Sequence, residues 1–365
     1  MLKANNKLPA VAESKMGTNV KYPFKVAVIG CGRIGILQHI PSLLKIKGVE
    51  IAAICDKDKD LVRRIANRFN ISSYYNNFSE MLSRNKVNMV DICTPPQTHT
   101  DLAIQAIEAS CHVLVEKPMA MTVKEVDKIK HTAEHNGVKV CQVHNKLYEP
   151  VMIKALNTVN RGRIGDLKGV DIQVLHSYSS VYTKLRDREH WCHSLPAGIF
   201  TETLPHPIYL ASAFLGKLKP VAVTIGNLNN YDFVSADEIR IIFEGDKGAG
   251  TISFSSSSPK SKTIIDIHGT KSHLRIDLLN SAMYEYGRGT DTLMSRGIEN
   301  LGQSIDVTIK TIATSMKVIS GNFHSGHYTL IQRFIKSIQN NTEQPVSWRE
   351  ARHVIEVLEQ ITSHL

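Results

Sequence analysis

A glycine-rich segment near the start of the chain has the spacing needed to hold a phosphate group. Gly30-Cys31-Gly32-Arg33-Ile34-Gly35 follows the apolar run Val26–Ile29 and leads into a helical pattern of apolar residues. In such a segment the first glycine allows a tight turn, the second lets the backbone approach a pyrophosphate, and the third lets helix pack on strand. The start of the helix then offers free N–H groups and the positive end of its dipole to the phosphates.

A carboxylate stands where it could complete a dinucleotide site. The second apolar run, Val49 to Cys55, ends in Asp56, which follows the last glycine by about 20 residues, the distance at which an acid can accept the ribose hydroxyls. Glycine-rich turns are common, but strand, glycines, helix and acid together predict a dinucleotide site. Asp56 favours NAD, because a carboxylate repels the 2′-phosphate of NADP. The neighbouring Lys57 leaves NADP as an alternative.

Two further segments carry polar groups at the ends of predicted strands. Thr94-Pro95-Pro96 follows the strand Val87–Cys93, and Glu116-Lys117-Pro118 follows the strand Val113–Val115. Ligands of open parallel sheets bind outside the carboxyl ends of the strands, so both segments are expected beside the dinucleotide. The alternative for Glu116 and Lys117 is an ordinary solvated pair in a loop.

The elements that position these groups alternate between strand and helix from residue 24 to residue 148. This order predicts an α/β domain with a parallel, doubly wound sheet. Pro41 conflicts with the helix after the glycine loop and is expected to bend or restart it.

Residues 149–365 show a different pattern, in which most strands follow one another over short connections. They predict an α+β domain with a largely antiparallel, open sheet covered on one face by helices. The other face is expected to form a homodimer or homotetramer. Residues 1–23 are interpreted as a flexible N-terminal tail, and residues 300–320 are apolar but have no clear start or stop signal.

The chain resembles the glucose–fructose oxidoreductase / inositol dehydrogenase / MocA family over about residues 24–360. The resemblance is carried by the glycine loop, Thr94-Pro95-Pro96 with His99, Glu116-Lys117-Pro118, Asn145–Pro150, and Glu202 with His206. It implies a Rossmann domain, a C-terminal sheet that forms the oligomer, and NAD(P)-dependent hydride transfer at a hydroxyl-bearing carbon of a sugar, cyclitol or nucleotide-sugar.

The resemblance also implies roles for individual residues. Lys117 contacts the nicotinamide ribose and the reacting hydroxyl, His206 is the proton-transfer partner, and Glu202 orients His206 or binds a neighbouring hydroxyl. The expected cofactor contacts are Gly30, Cys31, Gly32, Arg33, Ile34, Gly35, Asp56, Lys57, Thr94, Pro95, Pro96, His99, Glu116, Lys117 and Asn145. The chain departs from the family in having Glu202 in place of aspartate, Leu204 in place of a small residue, and Leu147 in place of a second basic residue.

His206 is expected to titrate near neutrality. Pro205 and Pro207 place it at the start of a helix, whose dipole lowers the pKa of an imidazole, while the Glu202 carboxylate one turn earlier raises it. A base with such a pKa suits alcohol oxidation. A capping or packing histidine is the alternative.

Other function classes receive less support from the sequence. The net charge of +10 is spread among acidic residues, so nucleic acid is not expected as a partner, and no apolar run reaches membrane-spanning length. His190-Trp191-Cys192-His193 lacks the spacing of metal ligands, and the cysteines fit reduced core thiols in a cytoplasmic protein. A redox-neutral glycosidase that uses bound NAD and a non-catalytic NAD-sensing regulator remain alternatives.

Overall fold

The structure is a computed structural model, and it describes residues 23–177, 187–228, 232–234, 236–287, 292–320 and 324–363. Apart from its last residue, the tail expected over residues 1–23 lies outside these ranges.

The first sheet has six parallel strands in the order β3-β2-β1-β4-β5-β6, which confirms the predicted doubly wound domain. The strand order reverses between β1 and β4, and ligands of such sheets bind at that point. The strands are β1 Phe24–Ile29, β2 Val49–Cys55, β3 Tyr74–Tyr75, β4 Met89–Ile92, β5 His112–Val115 and β6 Val140–Gln142. The helices are α1 Ile40–Lys45, α2 Lys59–Phe69, α3 Phe78–Arg84, α4 His99–Glu108 and α5 Val123–His135.

The helix after the glycine loop contains the irregularity that Pro41 was expected to cause. Gly35–His39 forms a π-helical turn, and α1 then begins at Ile40 with Pro41 in its first turn, where the missing N–H is tolerated. His39 ends the π-helical turn with its side chain fully buried. The α-helix therefore restarts at Ile40, directly after a histidine whose side chain points into the protein.

The second sheet has seven strands in the order β13-β12-β11-β7-β10-β9-β8, and only the β7–β10 pair is parallel. The largely antiparallel sheet is thus confirmed. The strands are β7 Leu167–Ser177, β8 Leu218–Gly226, β9 Glu238–Gly245, β10 Gly248–Ser258, β11 Lys262–Gly269, β12 His273–Asp277 and β13 Ala282–Tyr286. The helices are α6 Pro150–Asn160, α7 Ile199–Thr203, α8 Pro205–Leu215, α9 Leu293–Ile319, α10 Gly326–Gln339 and α11 Trp348–Thr362. The segment left unassigned over 300–320 belongs to α9.

The C-terminal helices contribute to both hydrophobic cores. Leu330 and Phe334 of α10 and Ile355 of α11 are buried in the core that surrounds the parallel sheet. Val354 and Leu358 of α11 pack in the core of the second sheet. The predicted boundary between residues 148 and 149 lies one residue before α6 begins, and the chain returns to the first core at α10.

Within the described ranges, no helix is both long enough and apolar enough to span a bilayer. All six cysteines are free thiols, five of them buried and Cys93 half-buried.

Candidate active site

The glycine loop has the tight geometry that a bound pyrophosphate needs. Gly30 has φ +94°, and a Cβ there would come within 2.8 Å of the backbone of Cys93. A Cβ on Gly35 would overlap the carbonyl oxygen of Gly30, whereas the space beside Gly32 is open. The loop therefore packs closely on the sheet at both ends and leaves room in the middle, so its residues fit a dinucleotide.

Asp56 lies at the end of β2, next to this loop. Its Oδ2 accepts a hydrogen bond of 2.7 Å from the backbone N–H of Cys31, and its Oδ1 accepts one of 3.0 Å from that of Asp58. The half-buried carboxylate is held at the edge of the phosphate cradle, where ribose hydroxyls would lie. Arg33 and Lys57 are exposed beside it.

His99 joins the two strand-end segments from beneath. Its Nδ1 lies 2.8 Å from the carbonyl oxygen of Pro118, and its Nε2 lies 2.8 Å from that of Thr94. The ring is fully buried, and burial lowers its pKa. A neutral ring has one N–H, so His99 donates to one of the two carbonyl oxygens and places its other nitrogen beside the second. Thr94 and Pro95 are half-buried.

Lys117 and Glu202 form an ion pair between the two domains. The Lys117 ammonium donates to Glu202 Oε1 at 2.7 Å and to the backbone oxygen of the same residue at 2.8 Å. Their side chains are 8% and 17% exposed, so solvent screens the pair only weakly. The sequence suggested that Glu202 orients His206 or binds a neighbouring substrate hydroxyl, and in the structure its carboxylate lies against Lys117.

His206 lies in the first turn of α8, and its hydrogen-bond partner is Tyr209 on the next turn. His206 Nδ1 is 2.7 Å from the Tyr209 hydroxyl, which also accepts from the N–H of Lys146 at 3.2 Å and lies 3.3 Å from Asn145 Oδ1. The hydroxyl has one proton, and Asn145 Oδ1 can only accept it. The arrangement that satisfies every group has His206 Nδ1–H donating to Tyr209, which leaves Nε2 of His206 as a free base.

The same hydrogen-bond chain continues into the interior of the first domain. Asn145 Nδ2 lies 3.4 Å from His327 Nδ1, and His327 Nε2 lies 3.5 Å from Glu116 Oε1. Glu116 Oε1 also accepts from His39 Nε2 at 3.0 Å, and His39 Nδ1 is 2.9 Å from Asp91 Oδ2. With a neutral His327 and a His39 that carries both protons, each group from His206 to His327 donates to the next, and the chain ends at the Glu116 carboxylate. His39 donates from the other side, to Glu116 and to Asp91, so every contact joins a donor to an acceptor.

The charges in this buried chain favour that assignment. Burial alone would lower the pKa of His39, but the charge and hydrogen bond of Asp91 outweigh it and raise this pKa well above 6.5. Burial also lowers the pKa of His327, which keeps that ring neutral. Burial opposes the charge of Glu116, yet hydrogen bonds from His327 and His39 hold its pKa well below 4.5. His39 is therefore a cation between two carboxylates.

The titration expected for His206 does not agree with the structure. Its pKa lies well below 6.5, first because the ring is withdrawn from solvent and then because the cations Lys117 and Lys146 lie nearby. Glu202 raises this pKa but does not compensate. The prediction of a base titrating near neutrality was wrong, because it weighed only the helix dipole and Glu202.

Sequence reasoning missed several members of the site. Tyr209, Lys146, His327, His39 and Asp91 were not among the candidate residues. The hydrogen bond between Asn145 and His327 spans 182 positions in sequence, so no local spacing could have indicated it. The buried charge at Asp91 is the one local signal, since an acid inside an apolar strand needs a partner.

Two groups of side chains in the described part of the chain have the geometry of metal ligands, and both include His39. They are His39, Glu116 and His327, and His39, Asp91 and Cys93. The 3.0 Å and 2.9 Å hydrogen bonds of His39 already account for the approach of the carboxylates. Cys192 of the segment 190–193 is buried in a short 3₁₀ turn, and the N–H of Cys192 donates to His190 Nδ1.

Family models match almost all of the described chain. Residues 24–144 match an oxidoreductase family with an NAD-binding Rossmann fold, and residues 157–364 match the C-terminal alpha/beta domain of the same family. The chain belongs to the Gfo/Idh/MocA oxidoreductase family. Family membership confirms the resemblance drawn from the sequence and makes the glycine loop part of an NAD-binding domain.

Individual relatives share only a modest sequence identity with this chain, and the matches cover part of each protein. The chain is 25% identical over 198 residues to Oxidoreductase P35 of Formosa agariphila and 32% identical over 179 residues to glycosyl hydrolase family 109 protein 2 of Bacteroides fragilis. These matches span 53% and 46% of this chain but only 61% and 42% of the relatives. The fold is similar to that of the WlbA dehydrogenase from Bordetella pertussis, crystallised with NADH and UDP-GlcNAcA, with a TM-score of 0.77, 18% identity and coverage of 94% and 96% of the two chains.

Proposed function

We propose that this member of the family is a dehydrogenase or reductase that transfers a hydride between NAD and a hydroxyl-bearing carbon of a sugar-type substrate. The observation that supports the proposal is the grouping of an ammonium and a free imidazole nitrogen at one point between the two domains. Lys117 lies at the carboxyl end of β5, where NAD-binding sheets hold the nicotinamide, and His206 lies in the facing domain.

The two side chains have separate tasks. The nicotinamide, when bound, accepts or returns the hydride. His206 Nε2 accepts the hydroxyl proton, since its depressed pKa keeps the ring neutral throughout the neutral range. The Lys117 ammonium donates a hydrogen bond to the same oxygen and stabilises the negative charge that develops there. Glu202 holds Lys117 in place through the 2.7 Å contact.

A nucleotide-sugar is the substrate class that we favour. The WlbA dehydrogenase, which shares the fold over nearly the whole chain, was crystallised with such a molecule. Lys117 and Lys146 concentrate positive charge near His206, and the whole chain carries a net charge of +10, which attracts an anionic substrate.

The direct experiment is a screen of purified protein with NAD or NADP against UDP-sugars, free sugars and cyclitols, following the absorbance of the reduced cofactor. We expect turnover with NAD and at least one UDP-sugar. Lys117→Met is the variant to compare with the wild type, since it keeps the length of the side chain and removes its charge. Equal rates for the wild type and this variant would contradict the proposed roles.

A redox-neutral glycosidase is the second candidate, because glycosyl hydrolase family 109 protein 2 is among the relatives. Such an enzyme would also need the NAD-binding loop, a base and a cation. It would release the aglycone from a nitrophenyl glycoside without added cofactor and without net reduction of NAD. Oxidation of a UDP-sugar with stoichiometric formation of NADH excludes this candidate as the main activity.

A further inference from the structure

Helix α9 exposes a row of large apolar side chains. It runs over Leu293–Ile319 and packs beside β13. The apolar residues on its surface are each more than half exposed, and they are Leu293, Met294, Ile298, Leu301, Ile305, Ile309, Ile312, Met316 and Ile319. Monomeric proteins rarely leave such a continuous apolar row in water.

The spacing of this row is symmetrical along the helix. From Met294 to Met316 the steps are four, three, four, four, three and four residues, and the sequence of steps is the same in either direction. At about 100° per residue these side chains fall within roughly 80° of the helix circumference, so they form one straight, narrow stripe. The centre of the symmetry is Ile305.

We propose that α9 packs antiparallel against α9 of a second copy of this chain, about a twofold axis at Ile305. That axis brings Ile305 against its own copy and Leu301 against Ile309. The same operation pairs Ile298 with Ile312 and Met294 with Met316, so each pair matches in chemical type and nearly in size. A twofold interface must be self-complementary, and the symmetry of the stripe meets this condition.

The size of the stripe is sufficient for a stable contact. Its exposed side chains present on the order of 1,000 Å² of apolar surface, against about 800 Å² per partner in a standard interface and about 300–600 Å² for the largest patch on an ordinary monomer. One flank of the stripe is formed by Gly297, Ser304, Thr308 and Ser315, which are exposed and small. Small flanking residues let two helix backbones approach closely.

A second copy explains α9 better than a lipid surface does. Helices that lie on membranes carry mainly Lys and Arg on the polar face and aromatic residues on the apolar face. Residues 293–319 contain three basic and two acidic residues and no aromatic residue. This contact is a different one from the contact predicted from the sequence, in which the open face of the second sheet forms a homodimer or homotetramer. That contact stays a prediction.

The test is the oligomeric state of the full chain by analytical ultracentrifugation at micromolar concentration. Ile305→Glu places two carboxylates against each other on the axis and is expected to halve the number of copies, from dimer to monomer or from tetramer to dimer. Leu44→Glu is the matched control, because Leu44 is 53% exposed on α1, in the other domain from α9. It should leave the number of copies unchanged.

Cross-linking tests the alignment of the helices. Ile305→Cys should form a covalent dimer under mild oxidation. Leu301→Cys should not, because its own copy is displaced by eight residues, about 12 Å along the axis. A monomeric wild type, an unchanged number of copies in Ile305→Glu, or equal cross-linking of both cysteine variants would overturn the proposal. Flotation of monomeric protein with phosphatidylcholine–phosphatidylserine vesicles, lost in Ile305→Glu, would assign the stripe to lipid instead.

Discussion

Replacing His39 by leucine should destabilise the protein strongly, although the residue lies outside the catalytic grouping. His39 is fully buried, and its two ring nitrogens lie 2.9 Å from Asp91 and 3.0 Å from Glu116. Leucine has a similar volume but no charge, so the substitution leaves two carboxylates in the interior without the cation between them. The perturbation is thus mainly electrostatic.

The expected loss of unfolding free energy follows from the burial of the charges around His39. Removing one partner of a buried ion pair costs about 3–5 kcal/mol, because the remaining charge stays desolvated. For a domain of this size, 1 kcal/mol lowers the melting temperature by about 2–4 °C, so the expected loss is roughly 6–20 °C. Asp91→Asn in the His39→Leu background removes one of the stranded charges and should recover part of the loss.

The assay is urea denaturation and thermal unfolding of both variants beside His131→Leu. His131 is the matched control, since its side chain is 80% exposed on α5. A loss below about 1 kcal/mol for His39→Leu, or an equal loss for His131→Leu, would refute the assignment of His39 as a buried cation.

The pH dependence of stability gives an independent readout. The pKa of His39 is raised in the folded protein, so its contribution is complete below pH 6.5 and is lost as the pH rises through the folded value. The pKa of Glu116 is lowered, so its contribution is complete above pH 4.5 and is lost as the pH falls through the folded value. In His39→Leu the stranded carboxylates take up protons on folding, so this variant should instead gain stability as the pH falls from 7 to 5.

Three further predictions concern catalysis and cofactor choice. The wild type should bind NAD more tightly than NADP, and Asp56→Ser should narrow or reverse this preference. The expected change in the ratio of the two affinities is about 10- to 150-fold, because losing a charged hydrogen bond to the ribose costs about 1.5–3 kcal/mol of binding free energy. Binding of both cofactors measures it, and equal use of NAD and NADP by the wild type would contradict it. Lys117→Met should lower the rate by about 100-fold or more with NAD affinity kept, and should raise the pKa of His206 by removing a nearby cation. It should also lower the melting temperature, because the largely buried Glu202 loses its cation; a lower melting temperature without a loss of rate would make this lysine purely structural. The rate should increase with increasing pH over a range below pH 6.5, where His206 loses its proton. His206→Asn should abolish this dependence and lower the rate by about 100-fold; an unchanged profile in this variant would mean that another group accepts the proton.

Much of the fold could be predicted because local pattern determined it. Val49–Cys55 has the predicted limits, since a continuous apolar run is an unambiguous signal. α9 was not assigned because its apolar stripe faces outward, so the start and stop signals that accompany a packed helix are weak.

Only those residues of the candidate site that belong to short sequence motifs could be predicted. The glycine loop and Asp56 follow from spacing along one strand–helix unit, and Lys117 follows from its place after a strand. Tyr209 and His39 could not be found, because their roles depend on contacts made after folding. The depressed pKa of His206 is of the same kind, since it depends on Lys117 and on burial.

The return of α10 and α11 to the first core affects the order in which the protein is completed during synthesis. The NAD-binding half leaves the ribosome before the second sheet, but Leu330, Phe334 and Ile355 are buried in its core and are translated only after that sheet. Until then the sheet exposes the apolar surface that these side chains cover, and Glu116 lacks His327. A nascent chain that ends before α10 therefore carries every residue of the glycine loop and still lacks a finished cofactor domain. Its exposed apolar surface is open to aggregation, and to binding by chaperones, until α10 and α11 have emerged.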